Sequence, residues 1–144
     1  MQLFPDISYR PHEHVVLARW LQPATDYAHF QASFYQVLEK AVQYDCQYWL
    51  LDVRRCPPRC TQQQQWLQQE FYPHAKAKFQ LLGPIHEAYL VHPAHLTHYT
   101  AVALPQSQPV ASTCYQTAAF VDEGLTTAWL RQQAAHHRPP CGCS

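Results

Sequence analysis

An α/β domain with a mixed, mostly parallel sheet is the fold class this sequence predicts, and three observations carry that reading. Tyr48-Trp49-Leu50-Leu51-Asp52-Val53 opens on four apolar or aromatic residues in a row, the mark of a strand covered on both faces, as in parallel sheets flanked by helices. Segments with three- and four-residue apolar spacing then alternate with further strand-like runs, which is the rhythm of β-α-β units. A hairpin-like start precedes them, so one strand is antiparallel to the rest. The expected order is β-β-α-β-α-β-α-β-α, with about five strands and right-handed crossovers.

Ile7 to Arg10 and His14 to Trp20 read as two short strands around the turn-like Pro11-His12-Glu13. Thr25 is the expected N-cap of a long helix, with Asp26 in its first turn. Along that helix Tyr27, Phe30, Phe34, Val37, Leu38 and Ala41 form one apolar stripe. After the strand at 48–53, Thr61 is the expected cap of a second helix, and Gln64 stands at capping-box spacing. Trp66, Leu67 and Phe71 give that helix its apolar side, and Pro73 ends or kinks it. Ala88 to Val91 is the next strand, His92-Pro93 closes it, and a helix is expected over 94–104. Gln106 to Ser112 reads as loop and Tyr115 to Val121 as the last strand. Asp122 then caps a helix whose Leu125 and Trp129 are expected to share a buried face. The pattern stops after Gln133. The expected organisation is one domain over 1–134 followed by a flexible tail over 135–144.

Composition excludes several function classes. The chain has 144 residues, ten basic and ten acidic side chains, and ten histidines. With zero formal net charge there is no global field to draw nucleic acid or an anionic membrane. Charged residues make up 14% of the chain, below the usual quarter or so. No apolar run approaches the roughly 18 residues a membrane span needs. Met1 to Asp6 shows no basic or apolar leader, so the expected location is cytoplasmic, with the six cysteines as reduced thiols or metal ligands and not disulfides. Three glycines in all leave no phosphate-cradling loop, and there is no Gly-x-Ser-x-Gly elbow. No enzyme activity and no cofactor are expected.

The chain resembles the STAS superfamily (sulfate transporter and anti-sigma-factor antagonist domains), in particular its small stand-alone bacterial members. The resemblance rests on element order over 5–133, on Trp49-Leu50-Leu51-Asp52-Val53-Arg54, and on Phe120-Val121-Asp122-Glu123 followed by Ala128-Trp129-Leu130. It implies a non-enzymatic interaction or regulatory module with a protein partner. Antagonist members carry Asp-Ser-x-Gly at the start of the second helix, where the serine is phosphorylated. Here the chain reads Pro58-Arg59-Cys60-Thr61-Gln62-Gln63. The serine switch is therefore missing, and capping accounts for the Thr61 hydroxyl.

The candidate site is the turn after the 48–53 strand. Arg54, Arg55 and Arg59, with Thr61 and Gln62, fall between a strand's carboxyl end and a helix N-terminus, where open α/β sheets bind ligands. Guanidinium forks there suit a phosphate or carboxylate, so the turn is the expected partner- or anion-binding site. Pairing of Asp52 with one arginine is the structural alternative. A different class of function, a small-ligand or lipid-binding domain with an apolar pocket between helices and sheet, is the second reading. Cys56, Cys60, Cys141 and Cys143 could supply four thiols, but their spacing is not that of a zinc knuckle, so no metal is assigned. His92, His95 and His98 recur every three residues with no carboxylate at motif spacing, and read as surface. Cys46 and Cys114 read as small core residues.

Overall fold

The computed structural model describes residues 4–79, 83–103 and 115–137. Its strands are β1 (Asp6–Arg10), β2 (Val15–Arg19), β3 (Tyr48–Asp52), β4 (Ile85–Leu90) and β5 (Tyr115–Phe120). They form one sheet in the order β1-β2-β3-β4-β5. β1 runs antiparallel to β2, and the other three pairings are parallel. The helices are α1 (Tyr27–Gln43), α2 (Thr61–Trp66), α3 (Tyr72–Lys78), α4 (Leu96–Ala103) and α5 (Glu123–His137). Each crossover thus advances the sheet by one strand in the same direction.

Side-chain alternation sorts the helices onto two faces. Trp49 of β3 meets Phe71 and Phe79, and Tyr89 of β4 meets Tyr99 of α4. Phe34 of α1 reaches Phe71 as well. The opposite face belongs to α5, whose Trp129 meets His86 of β4 and Phe120 of β5. With helices on both sides, every residue of β3 and β4 is buried, as the unbroken apolar run of β3 requires.

Helix ends follow local chemistry, with small shifts from the sequence expectation. Asp26, not Thr25, caps α1: its Oδ1 accepts from the His29 N–H at 2.8 Å. The buried stripe of α1 is the expected one with Ser33 added and Tyr27 half-buried. Asp45 turns the chain out of α1 with φ 50°, the left-handed helix exit that Asp tolerates better than most residues. Cys60, not Thr61, is the N-cap of α2, and Gln63 Oε1 accepts from the Cys60 N–H at 3.1 Å. The reach-back is shifted by one because glutamine occupies 62–65, so Gln63 can serve the Cys60 N–H as Gln64 would serve Thr61.

Pro73 neither ends nor breaks the second helical segment. Leu67–Phe71 widens into a π-turn, and the Tyr72 N–H bonds the Leu67 carbonyl. Pro73 has no N–H to offer the carbonyl four residues back, and its ring would press on that carbonyl. The wider turn relieves the clash, and α3 follows directly. β4 starts three residues earlier than its apolar run implies, because His86 and Glu87 are buried in it. The expected helix at 94–104 is a 3-10 turn over Pro93–His95 followed by α4.

Asp122 caps α5 as expected, its Oδ2 accepting from the Leu125 N–H at 2.9 Å. The buried face of α5 is not the expected one. Leu130 and Thr126 are buried, Trp129 is half-buried, and Leu125 is 59% exposed. Four-residue spacing from Thr126 to Leu130 sets the inward stripe, and Trp129 lies at its flank against His86 and Phe120. The helix runs to His137, beyond the expected stop at Gln133. The loop assigned to 106–112, Cys114 and most of the proposed tail lie outside the described residues. No helix among the described residues is long and apolar enough to cross a membrane.

Leu130→Ala is expected to destabilise the fold by about 2–5 kcal/mol, whereas Leu125→Ala stays within about 0.5 kcal/mol. Paired urea-unfolding curves check this, and equal losses would reject the orientation of α5.

Candidate functional site

The three arginines of the turn after β3 leave it in three directions. Arg54 folds back on Asp52, its Nε donating to Oδ1 at 3.0 Å and its Nη2 to Oδ2 at 2.8 Å. Arg19 of β2 holds the same carboxylate, Nε to Oδ2 at 3.1 Å, and reaches Glu123 of α5 at 3.3 Å. Asp52 is therefore a buried tie between β2, the turn and α5. Arg55 is exposed, with its Nη1 donating to the Leu21 carbonyl at 3.5 Å. Arg59 turns inward and is only 8% exposed. Thr61 and Gln62 are exposed on the first turn of α2. The five residues do not converge on one point.

Arg59 is placed by the extended segment Pro57-Pro58, whose fixed φ angles carry the chain straight from β3 toward α2. Its guanidinium carbon lies 4.5 Å from the Tyr89 ring centroid, 5.2 Å from Tyr99 and 5.9 Å from Phe34. Desolvated contacts of this kind contribute about 2 kcal/mol or more. Nη1 donates to Gln64 Oε1 at 3.4 Å, and Nη2 is enclosed with no acceptor among the described residues. Glu87 is in no ion pair with it. A guanidinium keeps its charge even so.

Beneath Arg59 lies a buried polar cluster. Tyr72 of α3 donates to Glu87 Oε1, Tyr89 donates to the same oxygen at 3.1 Å, and the two hydroxyl oxygens are 3.0 Å apart. Glu87 Oε2 has no partner among the described residues. Burial pushes the Glu87 carboxyl up to about 7, against the lowering effects of the Tyr72 hydroxyl, the Arg59 charge and the Tyr89 hydroxyl. Burial also raises both tyrosines, so each stays a hydroxyl donor.

Over Arg59 opens a cavity of about 70 Å³ at the carboxyl ends of β2 and β3. Trp20, Pro23 and Ala24 come from the chain after β2, and Phe30 and Phe34 from α1. Val53, Cys56, Pro57 and Arg59 come from the turn after β3, and Gln63 and Tyr99 complete the wall. Among the described residues that line it, none is acidic. Burial, helped by the Asp52 charge and opposed by Arg59, pushes the Cys56 thiol up to about 11. It is therefore a neutral wall group and not a nucleophile at neutral pH.

The other candidates separate. Cys46 is buried and its thiol donates to the His14 and Tyr48 carbonyls, each at 3.3 Å, as a core cysteine does. His92 Nδ1 accepts from the Ala94 N–H at 3.0 Å and caps the short turn there. Among the described residues no three metal-ligating side chains cluster. Cys141 and Cys143 lie outside those residues.

Glu87, Tyr72 and Tyr99 are absent from the sequence-based site. Two ionisable residues beside an apolar run, in His86-Glu87-Ala88-Tyr89-Leu90-Val91, are the available signal, since a strand extended through them buries both. Trp20, Phe30 and Phe34 carry only a core signature. In comparisons with protein-family models, curated proteins and solved structures, nothing matched this chain.

Two measurements test this geometry. Glu87 is raised in the folded state, so its stabilising contribution is complete below about pH 4.5 and disappears as pH rises through about 7. Glu87→Gln should remove that slope, and the wild-type-minus-variant difference should change by on the order of 3 kcal/mol between pH 4.5 and 8. Urea midpoints across that range read it out; parallel profiles would reject the buried carboxyl. Arg54→Ala should cost about 1–3 kcal/mol because it removes bonds to a buried carboxylate, and Arg55→Ala should stay within about 0.5 kcal/mol. Thermal melts of the two single variants compare them directly.

Proposed function

We propose that the chain is a non-enzymatic, STAS-like binding module in which a small ligand occupies the cavity beside Arg59. The observation that carries this reading is the cavity itself: five segments enclose it at the carboxyl ends of parallel strands, its walls are mostly apolar, and a buried cation stands in one wall. Ligands of open α/β sheets collect at this end because the loops there converge. The element order that underlies the STAS resemblance supports a regulatory module. The exposed Arg55, Thr61 and Gln62 beside the cavity support a partner-facing surface whose shape the ligand would influence. A non-enzymatic reading fits the chemistry: the Cys56 thiol is held protonated, and Glu87, though tuned near neutrality, is fully enclosed and does not line the cavity.

Native mass spectrometry after incubation with a metabolite extract tests the reading. The wild-type protein should retain a small molecule at one equivalent. Ala24→Leu, which fills the half-buried rim of the cavity, should release it while the melting temperature stays within a few degrees. Absence of any retained molecule, or retention unchanged by Ala24→Leu, would overturn it.

A further inference from the structure

We infer that the cavity beside Arg59 is a site for a short-chain monocarboxylate, its carboxylate toward the guanidinium and its aliphatic body against Trp20, Phe30 and Phe34. This rests on the ligand-binding reading above and adds the chemical class of the ligand.

Charge complementarity is the first ground. Arg59 is a buried cation in the cavity wall; among the described residues it is in no salt bridge, and its polar contacts are the neutral Gln64 amide and the Tyr89 hydroxyl. Neither nearby acid forms an ion pair with it. Asp52 is held by Arg19 and Arg54, and Glu87, which feels the Arg59 charge, is raised by burial and accepts from two tyrosine hydroxyls through one oxygen. With no acidic side chain among the described residues of the wall, the cavity carries a positive potential in a low-dielectric setting, where one anion is favoured. The ring faces of Tyr89, Tyr99 and Phe34 relieve only part of the cost of burying this charge.

Size and wall chemistry narrow the class. At about 70 Å³ the cavity is near half the roughly 150 Å³ that accommodates the six heavy atoms of benzene, enough for an acid of about two carbons. Inorganic phosphate would find one cation and walls of aromatic and proline carbon, which cannot satisfy its remaining oxygens. A carboxylate has fewer oxygens to satisfy and brings an apolar body that those walls can desolvate.

The test titrates the full chain with acetate, ethanol, ethylammonium and inorganic phosphate, following the Trp20 indole N–H resonance. Acetate should give a saturable shift, ethanol should bind roughly tenfold or more weakly, ethylammonium should give none, and phosphate should bind more weakly than acetate. Arg59→Gln should weaken acetate roughly tenfold or more and leave ethanol unchanged. If that variant does not fold, the probe series on the wild-type protein and Arg59→Lys, which retains charge without the fork, decide the matter, the latter keeping the order acetate over ethanol. Equal binding of acetate and ethanol, tighter binding of phosphate, or an undiminished acetate preference in folded Arg59→Gln would overturn the carboxylate. Silence of Trp20 toward all four probes would overturn it too. A neutral molecule retained by the wild-type protein and released by Ala24→Leu would leave the ligand-binding reading standing and remove only the carboxylate.

Discussion

A guanidinium taken out of water loses strong hydration, and a fold that buries one must surround it with groups that return part of that free energy. Here those groups are mainly rings. Tyr89 of the interior strand β4 supports one side of Arg59, Tyr99 of α4 and Phe34 of α1 lie farther off, and Gln64 of α2 takes a single N–H. Four elements therefore meet on one charge. Its place at the carboxyl ends of the strands sets where the cavity lies and which side chains can line it.

The same charge shapes the polar cluster beneath it. A carboxyl as enclosed as Glu87 would stay neutral far above its ordinary range. The Arg59 charge and two tyrosine hydroxyls bring it back to about 7. Each tyrosine is in turn useful only as a neutral donor, and burial keeps it so. The cluster is thus a coupled unit of residues from β4, α3 and the turn after β3. Its internal hydrogen bonds give the helix-covered face a defined polar arrangement inside an aromatic core.

The opposite face handles charge differently. Asp52, Arg19, Arg54 and Glu123 join β2, the turn and α5 through ordinary ion pairs, most of them partly open to solvent. Two arginines of one short segment therefore serve two sides of the sheet: Arg54 closes the α5 side, and Arg59 enters the side covered by α1, α3 and α4. Between them Arg55 remains at the surface. That division explains why a turn rich in arginine yields one buried cation next to a cavity and not a broad basic patch.

Much of the fold follows from patterns a few residues long. The run from Tyr48 to Val53 is too apolar for a strand with a wet face, the α1 stripe has only one helical phase that buries it, and Asp122 has one obvious helix to cap. Those are local constraints, and β3, α1 and the start of α5 follow from them. Sheet order, in contrast, depends on which strands find each other through the crossovers. The inward face of α5 depends on what waits on the sheet: Thr126 and Leu130 fit there, while Leu125, equally apolar by sequence, points to water. The candidate site divides in the same way. Its location past β3 and one of its residues, Arg59, were legible, because a strand end followed by prolines, arginines and a helix start is a linear signal. That Arg54 would close on Asp52, Arg59 turn inward and Glu87 lie beneath it was not. Burial and charge pairing arise from residues distant in sequence, and only the packed helices bring Tyr72, Tyr99 and Phe34 around them.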